Sequence, residues 1–202
     1  YEQAHLDELA AYASVPVING LSDDLHPCQA MADMLTIKEN FGHLDGLRLA
    51  YIGDGNNVAT SLLYAAAHFG MDFAIAAPEG YDLPQHVVET ASALAAKRGT
   101  KIELLRDPAE AAAGADVLYT DTWVSMGQEA ETQQRLATFA PYQINDALMA
   151  HASKDSIVLH CLPAHRGHEI TDAVADGPHS RIFQQAENRM HAQKAILVHL
   201  MA

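Results

Sequence analysis

An α/β fold, built on a doubly wound and mostly parallel sheet with helices on both faces, is predicted by three observations. Short apolar runs rich in β-formers alternate with longer helical stretches, and the connections are short. The helical stretches carry their own punctuation. Pro27 and Pro84 stand where a first turn opens, and Gly70 and Gly99 stand where a left-handed cap closes one. Finally, 49% of the 202 residues are apolar, enough for a sizeable core. Strand, helix, strand in regular succession means parallel strands joined by crossovers, a Rossmann-like arrangement.

Each element has a local reason. Residues 1–13 read as a helix with Leu6, Leu9 and Ala10 on one face. Val15-Pro-Val-Ile-Asn19 reads as a short strand and Gly20-Leu-Ser-Asp-Asp24 as a loop. The chain therefore opens at the tail of an α/β unit, and a preceding segment is expected. The helix from Pro27 places Met31, Met34, Leu35 and Lys38 on one side. Residues 47–52, 72–77, 101–105 and 115–120 read as strands, separated by helices over 57–69 and 84–98 and a short one opened by Asp107-Pro108. A mostly polar helix over 129–139 and another ending near Ala152 precede a buried strand at 156–160. The last helix, from about Gln185 to Met201, has Ala195, Ile196, Val198 and Leu200 on its apolar side.

Composition excludes several functions. A formal net charge of −14 argues against nucleic acid, which needs a basic surface. No apolar run is long enough for a membrane helix, and the first residues show no signal-peptide pattern. The two cysteines, Cys28 and Cys161, are far apart, which suits a reduced cytoplasmic protein.

Four stretches carry chemistry. Asp121-Thr-Trp-Val-Ser-Met-Gly127 follows a strand, and ligands of open α/β sheets bind beyond the carboxyl ends of strands. Its carboxylate suits an ammonium, the Ser125 hydroxyl a second polar group, and the Met126 thioether a methylene stem. Capping of the next helix by Asp121 or Ser125 is the competing reading. His26 and Gln29 lie one turn apart at a helix start, where carbonyl oxygens and anions are favoured; a capping His26 and a solvated Gln29 are the alternative. Gly53-Asp-Gly55, with Glu79 after the next strand, invites a dinucleotide reading, but the third glycine is absent and two Asn side chains crowd the turn. Asn56 or Asn57 gripping a polar small molecule fits better. Cys161 follows a buried strand to the same edge. With His160, His165 and His168 it resembles metal-ligand spacing, yet no second cysteine pair completes a tetrahedral set. No cofactor and no metal are expected. The bland role for Arg189 is an ion pair with Glu187 or another neighbour.

Taken together, Leu25-His-Pro-Cys-Gln29, Gly53-Asp-Gly-Asn-Asn57, Asp121-Thr-Trp-Val-Ser-Met-Gly127, His160-Cys-Leu-Pro163 and Glu187-Asn-Arg189 resemble the ornithine type of the aspartate/ornithine carbamoyltransferase family. The resemblance implies transfer of a carbamoyl group from carbamoyl phosphate to the δ-amine of L-ornithine. It implies that His26 and Gln29 hydrogen-bond the carbamoyl group, and that Arg189 binds its oxygen. Cys161 and the Leu162 backbone lie beside the reacting groups, and Asn57, Asp121, Ser125 and Met126 hold ornithine. Homotrimers or multiples of trimers are implied when full length. The family's phosphate-gripping Ser-x-Arg-Thr-Arg segment is not found in this sequence, so the chain by itself is expected to be inactive. A paralogue for another amine and a non-catalytic binding or assembly module are the alternatives.

The resemblance also divides the chain. Residues 1–35 are the tail of the carbamoyl phosphate domain with the inter-domain helix, 36–184 the ornithine domain, and 185–202 a helix packing back. The apolar side chains Met31, Met34, Leu35, Ile196 and Leu200 are then expected to pair the two bridging helices or to drive association.

Overall fold

The structure, a computed structural model, describes residues 2–124 and 129–201. In chain order the elements are α1 (Gln3–Tyr12), α2 (Pro27–Phe41), β1 (Arg48–Ile52), α3 (Asn57–Phe69), β2 (Asp72–Ala76), α4 (Gln85–Arg98), β3 (Ile102–Leu105), α5 (Pro108–Ala112), β4 (Val117–Thr120), α6 (Thr132–Phe139), α7 (Asp146–Met149), β5 (Ile157–His160), α8 (Asp172–Ala175) and α9 (Ile182–Met201). Every strand pairing is parallel and the order is β3-β2-β1-β4-β5. The chain winds outward from β1 through β2 to β3. It then returns to the other side of β1 and winds outward again through β4 to β5. The reversal falls between β1 and β4, where the departing loops leave a crevice.

Alternation along each strand sorts the core into two layers. Leu49, Tyr51, Phe73, Ile75, Val117 and Tyr119 point to one face, where α2, α3 and α4 contribute Met34, Ile37, Leu62, Leu63, Val87 and Ala91. Ala50, Ile52, Ala74, Ala76 and Leu118 point to the other, against Ala111 and Ala112 of α5, Phe139 of α6, Leu148 of α7 and Val174 of α8. The small side chains of β1 and β2 on this face leave room for the Ala-rich α5 to pack closely.

Pro27 occupies the start of α2, and Gly42 closes it at φ 80°. Gly55 has a packing role. A Cβ there would sit 2.5 Å from the Asp82 carbonyl carbon and the Leu83 nitrogen, and the Gly55 N–H donates to the Tyr81 carbonyl at 2.9 Å. The loop after β2 thus covers the turn that a pyrophosphate would need bare, which removes the dinucleotide reading.

Two expectations change. Residues 15–19 form no strand: Pro16 lacks a donor, and Val15 is 69% exposed. Side-chain bonds fasten the end of this segment instead, with Asn19 Nδ2 donating to Gln3 Oε1 at 3.3 Å and to Ser22 Oγ at 3.2 Å. The helix α2 buries Gln29, Asp33 and Thr36 beside Met34 and Ile37, so its inner stripe is partly polar. It does pack against α9, the pairing expected of these two helices. The seam, however, is held by polar bonds: Asn188 Nδ2 donates to Thr36 Oγ1 at 2.9 Å and to Glu39 Oε2 at 2.8 Å. Met34 is buried, Leu35 and Ile196 are half-buried, and Met31 and Leu200 are each 40% exposed. Among the described residues no helix is long and apolar enough to cross a membrane.

Candidate active site

A cavity of about 1070 Å³ opens at the carboxyl ends of β1, β4 and β5. It is lined by His26, Asn57, Asp121, Cys161 and Leu162, all singled out from the sequence, together with Asp54, Asn56 and Trp123. Ser125 and Met126 lie outside the described residues.

Asp121 leaves β4 almost buried. Its carboxylate accepts from Asn56 Nδ2 at 2.8 Å, from the Cys161 thiol at 2.8 Å and from the Thr122 N–H at 2.6 Å. These donors come from the loops after β1, β5 and β4, so among the described residues Asp121 organises strand ends and caps no helix. Asn56 does two things at once. Its side-chain oxygen caps α3 by accepting from the Val58 and Ala59 N–H groups, which turns its amide nitrogen toward Asp121. Asn57 donates to the Ser22 carbonyl at 2.7 Å and fastens the loop before α2 to α3.

Burial first, then the nearby Asp121 carboxylate, pushes the Cys161 thiol well above its ordinary range. A protonated thiol is a hydrogen-bond donor and a poor nucleophile. The ligand atoms of Asp121, His160 and Cys161 lie within 4.8 Å of one another, but hydrogen bonds engage all three residues. His160 Nδ1 accepts from the Leu162 N–H at 2.9 Å, and its Nε2 faces Glu169 Oε1 at 3.1 Å. The proton therefore belongs on Nε2. Leu162 adopts a left-handed φ of 59°, a conformation this bond holds. His165 and His168, grouped with Cys161 by spacing, fall outside that trio but line the same cavity, where their rings stack with centroids 5.9 Å apart.

His26 sits across the cavity. Burial first, then the Arg189 charge, lowers its pKa to about 4, so the ring is neutral at neutral pH. Its Nδ1 is buried and has no hydrogen-bond partner among the described residues. Gln29 is buried, not solvated, and accepts from Arg189 Nη1 at 2.6 Å. Arg189 thus has Gln29 as a partner, while Glu187, named in the bland alternative, faces His191 at 3.5 Å.

Sequence reasoning missed two supporting groups. Asp33, fully buried, accepts from Gln29 Nε2 at 2.8 Å, Gln185 Nε2 at 2.7 Å and the Tyr119 hydroxyl at 3.1 Å. Arg135 is buried in the otherwise polar α6. It pairs with Asp54, donates to the Trp123 carbonyl, and lies 4.8 Å from the Tyr81 ring centroid and 5.2 Å from that of Phe139. An acid one turn after Gln29, and an arginine one turn before Phe139, were the available signals.

The fold and site describe a doubly wound α/β protein with a polar small-molecule crevice at its switch point. Residues 45–200 match the Asp/Orn binding domain of aspartate/ornithine carbamoyltransferase, and residues 1–39 match the carbamoyl-P binding domain. The chain belongs to the aspartate/ornithine carbamoyltransferase family. It is 60% identical over 201 residues to the ornithine carbamoyltransferase of Gloeobacter violaceus, covering 100% of this chain and 64% of that protein. Against the Bacillus subtilis enzyme of the same name the identity is 55% over 197 residues, covering 98% and 62%. The solved ornithine carbamoyltransferase of Pyrococcus furiosus superposes with a TM-score of 0.96 at 52% identity, covering 100% of this chain and 64% of that one. The chain thus spans about 64% of the length of such relatives.

Proposed function

We propose that this chain provides the ornithine domain, and the adjoining part of the carbamoyl site, of an ornithine carbamoyltransferase. The reaction moves the carbamoyl group of carbamoyl phosphate to the δ-amine of L-ornithine and yields citrulline and phosphate. The observation that carries it is one cavity lined by Asp121, Cys161 and His26, with Gln29 and Arg189, which do not line it, paired between α2 and α9. The names of the similar proteins support the amine.

In this reading Asp121 holds an ammonium of ornithine with Asn57, Ser125 and Met126. The neutral δ-amine attacks the carbamoyl carbon. The oxygen gains negative charge as the tetrahedral centre forms, and Arg189 supplies a positive donor fixed in place. His26, uncharged, hydrogen-bonds the carbamoyl group, and Gln29 helps orient it. Phosphate leaves when the centre collapses. Holding two substrates side by side removes most of the entropy of encounter. The Cys161 thiol, kept protonated, sits beside the reacting groups as a donor, together with the Leu162 backbone.

Residues 1–35 belong in this reading to the carbamoyl phosphate domain and its bridging helix, 36–184 to the ornithine domain, and 185–202 to the returning helix. The whole enzyme is a cytoplasmic homotrimer or a multiple of one. Assays of the enzyme with both domains complete, offering ornithine, aspartate, putrescine and N-acetylornithine, test it. Citrulline formation with ornithine as the preferred amine is expected; turnover of another amine alone overturns the assignment.

A further inference from the structure

The geometry points to Asp33 as a positioning residue that sets the carbamoyl side of the site by fixing the Gln29 amide. This rests on the reading of Gln29 and Arg189 as carbamoyl ligands. Asp33 touches neither the cavity nor a substrate in that reading and acts through its neighbours.

A primary amide presents an oxygen and an NH₂ group of nearly equal size, so its direction is decided by partners. An ionised carboxylate, the form of Asp33 at the pH 8 of the test below, only accepts. Asp33 Oδ1 therefore selects the NH₂ end of Gln29, at 2.8 Å, and leaves the oxygen to meet Arg189 Nη1 at 2.6 Å. Without that selection Gln29 can present NH₂ to the arginine, a contact between two donors.

The same carboxylate reaches the other strand ends. Tyr119 donates its hydroxyl to Asp33 Oδ2 at 3.1 Å and stands in β4, two residues before Asp121. Gln185 Nε2 donates to Asp33 Oδ1 at 2.7 Å, and Gln185 Oε1 accepts from the His160 N–H at 2.8 Å, next to Cys161. One buried group thus ties α2, α9, β4 and β5 at the level of the site. A buried, hydrogen-bonded network of this kind specifies orientation because each partner left unpaired is costly. Its neighbour in the seam, the Asn188–Thr36 bond at 2.9 Å, joins the same two helices without touching Gln29.

That pair of contacts supplies the test. Asp33→Asn, Tyr119→Phe, Asn188→Ala and Gln29→Ala are compared at pH 8 in the enzyme with both domains complete. Asp33→Asn is expected to raise the KM for carbamoyl phosphate and lower kcat, each by about tenfold, with the ornithine KM within twofold of wild type. Tyr119→Phe, which keeps volume and deletes one donor, shifts the same constants in the same direction by about threefold. Asn188→Ala lowers the melting temperature and leaves kinetics alone. Side-chain amide NMR of this chain gives an activity-free readout. The Gln29 NH₂ resonances move in Asp33→Asn and stay in Asn188→Ala. Unchanged kinetics in Asp33→Asn and Tyr119→Phe beside a defective Gln29→Ala overturn the inference, as do unmoved Gln29 resonances. An undamaged Gln29→Ala instead counts against the carbamoyl assignment of Gln29 itself.

Discussion

The Cys161 thiol donates to the Asp121 carboxylate across 2.8 Å, joining the ends of β5 and β4. Burial opposes loss of the thiol proton, and a negative charge at that distance opposes it further.

The thiol is therefore expected to resist alkylation. Iodoacetamide should react slowly through pH 9, and Asp121→Asn should move the midpoint of the rate-versus-pH curve downward, because it removes the repelling charge. Alkylation of the wild type with an ordinary cysteine midpoint would show that the pair does not exist in solution.

The same carboxylate separates binding from capping. Asp121→Asn keeps shape and still accepts from the Thr122 N–H, but it has no charge for an ammonium. In the complete enzyme the ornithine KM is expected to rise at least tenfold, with little change in stability. Asn56→Ala does the reverse work on stability. It removes the α3 cap, a loss of roughly 1 kcal/mol. A reduced melting temperature in Asp121→Asn, with unchanged ornithine kinetics, would return Asp121 to a structural role.

Arg135 and Asp54 form a buried pair that clamps the loop after β4 to the turn after β1. Arg135→Met leaves Asp54, whose pKa burial already raises, without its partner. Breaking such a pair costs about 3–5 kcal/mol, whereas replacing both charges is often near neutral. Urea denaturation should show that loss for Arg135→Met and recovery of most of it in Asp54→Asn/Arg135→Met. Equal stability of the single variant and the wild type refutes the clamp.

Much of this fold was legible in the chain because strand and helix periods differ and glycines mark the helix ends. The five strands of the sheet fall where the apolar runs do. The failed strand at 15–19 has the composition of one but no neighbour to pair with, and pairing is a tertiary fact. Within the site, His26, Asn57, Asp121, Cys161 and Leu162 line one cavity; Leu162 was named only through the family resemblance. Asp33, Tyr119 and Arg135 were hidden for a common reason. Each is a polar group inside an element whose pattern is read for apolar faces, and its partners come from distant segments. Hydrogen-bond satisfaction at such range leaves no local trace.

Asp33 also predicts how stability depends on pH. Burial, the largest influence, raises its pKa from 3.8 to about 7, against the opposing effects of Gln29, Gln185, Tyr119 and the Arg189 charge. The folded state thus holds this proton over a range in which the unfolded chain has released it. The associated stability is fully present below about pH 4 and is lost as pH rises toward 7. Three units correspond to on the order of 4 kcal/mol at about 1.4 kcal/mol per unit. Asparagine does not titrate, so the difference in unfolding free energy between wild type and Asp33→Asn isolates the effect, the other ionisable groups cancelling. Denaturant titrations at pH 4, 5.5, 7 and 8.5 should show that difference moving in favour of Asp33→Asn up to about pH 7 and then levelling off. A difference that stays constant from pH 4 to 8.5 would show that the network of donors holds Asp33 ionised throughout.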